Sequence, residues 1–423
     1  MADFNTDVWG KFIEGVKAAM GAGAPGSQLQ VFGAPVPFDW GVATGNTNPL
    51  EYWNFCDQLP KWSEVGGYIP QGGSLVNSYQ SWLNNLKQDY SQALKTQIAE
   101  AQQKLAADVA TINTWQTTTG AAWQQYVANQ AKFGLPPGDF KDWLASTGGD
   151  LQQKSLLAQV QKDNNIIASL LAQQNREYSD AWAAFNKTDF QRNYTDASNN
   201  VLLKRIFEWS TNPTDLTQKL RAGTQASGKT ISFSHSSASH DFSKSWAGAS
   251  AGYSNWFWSV NGGGAWTRMN QQDAADSYSA SITFKDLTLV TVNPDTGWFD
   301  DGYLKTKADG PYVDTNSVGY GKEATGNQTY FFQGEKATLP AQLTGMLVGY
   351  QPSFQITLSA SSFSEAYEKV EASGGLRIGP FTFGGSGGHE SDVIRKSAMA
   401  NTIEGQDKSN VPSIFGIYLK VLP

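Results

Sequence analysis

The chain has 423 residues, 40% of them hydrophobic and only 16% charged, with a single cysteine and a formal net charge of −7. That length supports two or three packed domains, and that hydrophobic share excludes global disorder. An acidic chain without a Lys/Arg stripe argues against nucleic acid as a partner, and a lone Cys56 forms neither an internal disulfide nor a thiolate metal site. Ser, Thr, Asn, Gln and Gly take the place of the missing charges, so the surface is polar but weakly charged, a texture that suits sugar binding or self-association.

Residues 6–20 carry Val8, Phe12, Val16 and Met20 at helical spacing behind Thr6 or Asp7 as cap, which predicts a short amphipathic helix stopped by Gly21. The same N-terminus lacks a basic segment followed by an apolar core, so no secretory signal is expected. No apolar run approaches about 18 residues, so no membrane-spanning helix is expected either. Cytoplasmic synthesis, with release or export by a non-Sec route, is the matching expectation. Residues 21–74 are rich in Gly and Pro yet hold Phe32, Phe38, Trp40, Tyr52, Trp53 and Trp62, which predicts an ordered irregular segment.

From Leu75 to Phe133 the apolar residues fall three and four apart, predicting one helix of up to about 88 Å. A kink is expected at Thr117-Thr118-Thr119-Gly120, and Gly134-Leu135-Pro136-Pro137-Gly138 ends it. A short helix over Asp139–Ala145 precedes a second stripe from Leu151 through Val160, Ile167 and Tyr178 to Phe185. Two long helices with a short connection pack antiparallel, as a bundle or as an extended hairpin. Helices over Asn200–Trp209 and Thr214–Arg221, the latter stopped by Gly223, complete this half.

After about residue 227 apolar residues alternate, as in ITFKDLTLVTV (282–292) and SFQITLSA (353–360), which predicts strands. Sliding residues 231–264 onto 356–389 matches Trp256 and Trp258 with Phe381 and Phe383, and Gly262-Gly263 with Gly387-Gly388. The expectation is a repeat of two related units of roughly 65 residues, 231–294 and 356–423, with a connecting insert 295–355. A phase slip at Ser236-Ser237 and at Ser361-Ser362 is read as a β-bulge. The expected fold class is α+β: an ordered segment 1–74, a long antiparallel helical hairpin or bundle over 75–225, then a mainly antiparallel β domain over 226–423.

Gly384-Gly385-Ser386-Gly387-Gly388 satisfies the nucleophile-elbow pattern, but no strand–helix context surrounds it and His389 is too close in sequence, so it is read as a glycine turn. His235 and His240 are too few for a zinc site, and no metal or cofactor is expected. Asp295, Asp300 and Asp301 are weak cation candidates without an EF-hand pattern. Phe257 has no aromatic counterpart in the second unit, and with Trp298 it is the candidate for membrane, glycan or subunit contact. The first functional expectation is a non-enzymatic, self-assembling homo-oligomer that engages a membrane or target surface, resembling pore-forming toxins in architecture. A lectin-like glycan-binding or structural surface protein is the alternative, and a hydrolase stands third.

Overall fold

A computed structural model describes residues 4–21, 26–38, 49–61, 69–196, 198–224, 228–237, 258–262, 265–268, 278–294, 297–312, 331–332, 337–359, 363–364, 367–368, 370–371, 375–384, 393–397 and 401–423. The fold is α+β, with one very long helix and antiparallel sheets.

The first helix, α1 (Phe4–Met20), buries Val8, Phe12 and Val16 completely along one face. It stops at Gly21, whose φ is 85°. Strand β1 (Ser27–Pro37), helix α2 (Pro49–Asp57), strands β2 (Gln58–Lys61) and β3 (Ile69–Ser74) and helix α3 (Leu75–Asn85) follow. The predicted helix over 75–133 is therefore two helices, separated by residues 86–91. Leu86 instead bridges to Tyr312, and the Lys87 amide donates to the Pro311 carbonyl at 2.9 Å. Ser91 then caps a new helix, accepting from the Leu94 amide at 3.3 Å.

That helix, α4 (Gln92–Lys132), runs unbroken for 41 residues, about 60 Å at 1.5 Å per residue. The expected break at Thr117–Gly120 does not occur. Thr117 and Thr118 hydroxyls donate to the carbonyls four residues earlier, at 2.9 and 3.0 Å, so these side chains bond to the helix instead of competing with it. Helix α5 (Phe140–Ser146), capped by Asp139, turns the chain into α6 (Gly149–Ala172) and α7 (Arg176–Asn186). Helices α4 and α6 are antiparallel. Lys104 pairs with buried Asp163, and Gln159 donates to Asp108 at 3.2 Å one turn further along. The predicted helix over 200–209 is corrected by strand. β4 (Gln191–Thr195) pairs with β5 (Val201–Arg205), and β6 (Glu208–Trp209) joins the main sheet. Helix α8 (Pro213–Ala222) matches expectation, with Gly223 left-handed at φ 66°.

The β half is built on β10 (Tyr278–Asn293) and β11 (Ala341–Leu358), paired antiparallel over most of their lengths. At one end β7 (Lys229–Ser234) joins β10, and β15 (Thr402–Gln406) joins β11 with β14 (Val393–Ser397) beyond it. At the other end β16 (Ser413–Val421) joins β11, with β1 outside it. A smaller sheet has the order β13 (Phe381–Gly384), β12 (Gly375–Ile378), β8 (Trp258–Gly262), β9 (Ala265–Arg268). Helix α9 (Asp301–Lys307) lies between β10 and β11 in sequence. Residues 341–355, placed by sequence in a connecting insert, are most of the central strand, because an apolar run pairs readily on both edges. β1 also takes part of the segment 1–74 into this sheet.

Two cores lie on the sheet. One gathers α1, the small sheet and Ile231, Phe233, Ile282, Phe284, Phe354 and Ile356. The other joins α3, α7, Trp298 and Phe299 to Val290, Val292, Met346, Val348 and Tyr350. Even-numbered residues of β10 reach the first core up to Phe284, and odd-numbered Leu287 and Leu289 reach it afterwards. In β11 the change falls between Leu347 and Phe354, yet pairing stays in register, with Phe284 opposite Pro352 and Asp286 opposite Tyr350. Both strands therefore switch faces at Lys285 and Gln351, and Gln351 takes a left-handed φ of 46°. Its amide side chain holds the turn by donating to the Ser409 carbonyl at 3.0 Å.

Candidate functional site

Trp298 lies in the core and not at a contact surface, contrary to the sequence expectation. It is 0% exposed, packed edge-on to Phe185 and Phe207, and its Nε1 donates to the Ile206 carbonyl at 2.7 Å. Satisfied and enclosed, it cannot touch glycan or lipid. Asp300 caps α9, accepting from the Tyr303 amide at 2.7 Å. Asp301 receives Lys420 at 2.6 Å and Lys305 at 2.8 Å. Burial acts to raise the Asp301 pKa, but the two ammonium groups outweigh it and hold the carboxyl below its usual range. Asp300 Oδ1 is thus engaged as a helix cap and Asp301 Oδ2 by two ammonium groups, which argues against either as a cation ligand. Among the described residues no group of three His, Cys, Asp or Glu side chains is placed to hold a metal. Phe257, Asp295, His240, Ser386 and His389 lie outside the described residues.

Phe381 and Phe383 are buried, at 4% and 1% exposure. Their strand is antiparallel to β12 and ends at Gly384 with φ 67°. The β-bulge expected at Ser236-Ser237 is a turn. The Ser237 amide donates to the Ser234 carbonyl at 3.0 Å, and the Ser234 amide to Ser237 Oγ at 2.9 Å, so hydroxyls end β7 by local bonding. His235 packs edge-on to Tyr278. The Cys56 thiol, pushed up to about 12 by burial, accepts from Trp209 Nε1 at 3.1 Å and stays protonated at neutral pH.

Two surfaces remain, and neither was singled out from sequence. The first is the tip of the helical hairpin. Phe133 is 78% exposed and Leu135 is 54% exposed, in a turn shaped by left-handed Gly134 and Gly138. Leu151, at the start of α6, is 67% exposed. All three are apolar residues of the predicted helical half, and Phe133 and Leu151 belong to the stripes expected to be covered. Just behind the tip, Trp123 is buried against Tyr126 at 5.6 Å and Trp143 at 5.4 Å between ring centroids. Exposed aliphatic and aromatic side chains beside a Pro-Pro turn were the available signal.

The second surface is the outer face of β7, β10, β11, β15 and β14. Successive strands bring Ser232, Ser281, Gln355, Glu404 and Arg395 into one cross-strand row. A parallel row holds Thr230, Thr283, Ser353 and Gln406, and a third holds Ser234, Ser279, Thr357 and Thr402. The hydroxyls bond across strands, with Thr230 to Thr283 at 2.9 Å and Thr357 to Thr402 at 3.2 Å. Gln355 Nε2 donates to Glu404 Oε1 at 3.0 Å. Between these rows lies a depression of about 350 Å³ rimmed by Arg395, Glu404 and Lys408. A second hollow of about 260 Å³ shares Ser281 and Gln355 with it. Alternation in 282–292 and 353–360 was legible as strand, but not which residues five separate strands bring side by side.

Comparisons of the chain with protein-family models, with curated proteins and with solved structures find no match. Among the described residues no helix is long and apolar enough to cross a membrane.

Proposed function

We propose that the protein is a non-enzymatic, self-assembling protein that engages a membrane surface, pore-forming-toxin-like in architecture. The observation that carries this reading is the hairpin tip, with Phe133 and Leu135 exposed at the end of a helix about 60 Å long. Tyr126 and Trp143 sit just behind, as amphipathic aromatics do at a headgroup layer. Burying two such apolar side chains supplies about 3 to 6 kcal/mol, too little for stable anchoring by one copy. Several tips joined in one assembly multiply the affinity, and this links membrane engagement to self-association.

Vesicle flotation and dye release test it. Wild-type protein is expected to float with the vesicles and release dye. Phe133→Ser combined with Leu135→Ser is expected to lose both while unfolding at the wild-type temperature, because both side chains are exposed. Failure of the wild type to bind vesicles of any lipid composition, or equal binding by the double variant, overturns the reading.

A further inference from the structure

We infer that the depression on the outer face of the long sheet is a binding site for a carboxylate-bearing sugar, of the uronic or sialic acid class. Its rim carries two cations and one carboxylate, Arg395, Lys408 and Glu404. Among the described residues no ion pair holds either cation, although Arg395 stands directly across from Glu404 in the β14–β15 register. Glu404 is instead engaged by the Gln355 amide at 3.0 Å. Among the described residues the rim therefore offers one net positive charge, which matches a single carboxylate better than a dianionic phosphate. Arg395 brings a planar fork of donors that fits a carboxylate with two parallel hydrogen bonds.

The rest of the site matches a polyol. Ser281 and Ser353 on the floor carry hydroxyls, and Gln355 carries an amide. Glu404, holding one amide bond, retains acceptor sites for sugar hydroxyls. The strands are spaced about 4.8 Å apart, so polar groups recur across the floor at close to the width of a pyranose ring. At about 350 Å³ the hollow lies at the lower end of small-molecule pockets, room for a terminal sugar and not for a buried polymer. The site is independent of membrane engagement, because it faces away from α1 and the small sheet and uses no residue of the hairpin tip.

Isothermal titration with N-acetylneuraminic acid and with glucuronic acid tests it, with N-acetylglucosamine as the neutral control. At least one acid is expected to bind where the neutral sugar gives no heat. Arg395→Gln, an exposed change, is expected to weaken that binding at least about tenfold without moving the unfolding temperature. Gln355→Ala is expected to weaken it less. The Phe133→Ser, Leu135→Ser protein is expected to bind the acid normally, so loss of vesicle binding and loss of sugar binding are read separately. No heat with either acid at about 10 mM, equal binding of the neutral sugar, or unchanged affinity in Arg395→Gln overturns the assignment.

Discussion

The two ends of the β10–β11 pair are one continuous antiparallel ladder with opposite relations to water. Over 341–350 almost every residue of β11 is buried, because the core of α1 and the small sheet lies on one side and the aromatic core of α3, α7 and Trp298 lies on the other. Over 351–358 exposure alternates, and the outer face is the polar surface that holds the depression. The switch is local. Asp286 is buried beside the crossing and accepts from the Thr288 hydroxyl at 2.5 Å, and Gly349 leaves space for the Phe284 ring. A strand pair can thus serve as core at one end and as a ligand-facing platform at the other, provided both strands turn over together.

The largest expected break in that contrast is Phe284→Ala. Phe284 stacks on Phe415 at 5.2 Å and meets Phe381 edge-on at 5.4 Å, so truncation opens a cavity where the two ends join. A loss of about 3–5 kcal/mol is expected, measured by chemical unfolding.

Next comes a pH effect confined to the helical side. Burial pushes the Asp57 carboxyl up from its ordinary 3.8 to about 6, although it accepts from the Val76 amide at 2.9 Å. The folded state holds this proton where the unfolded chain releases it. The contribution is fully present below about pH 4 and is lost as pH rises through 6, a span of up to about 3 kcal/mol. Asp57→Asn keeps the acceptor and cannot ionise. Its stability relative to wild type is expected to be higher at pH 7.5 than at pH 4 by up to that amount, and a pH-independent difference in thermal unfolding overturns the assignment.

Gly349→Ala sharpens the contrast at the crossing itself. A Cβ there stands 2.5 Å from the Phe284 ring, with the Phe415 ring behind at 3.5 Å, so a loss of about 1–3 kcal/mol is expected. Smallest is Ser281→Ala on the open face, expected to stay within about 0.5 kcal/mol. A loss near that of Phe284→Ala would mean the outer face is covered, and the distinction between the two ends would fail.

Much of this molecule was determined by sequence alone, because periodicity and capping are local. The helix at 4–20 with its Gly21 stop, the Asp139-capped turn of helix, α8 with Gly223, and the strands around 282–292 and 353–360 all follow from spacing and from residues within a turn or two. Tertiary structure decided the rest. It ended α3 at Asn85 through a bridge to Tyr312, more than two hundred residues away in the chain, and it enclosed Trp298, which sequence had placed outside. It left Phe133 uncovered at a tip although its spacing fits a buried stripe, since spacing states that a residue can be buried and not that anything arrives to bury it. It also set Arg395, Glu404 and Gln355 in one row from three strands, a juxtaposition carried by register between segments distant in the chain, which no local pattern encodes.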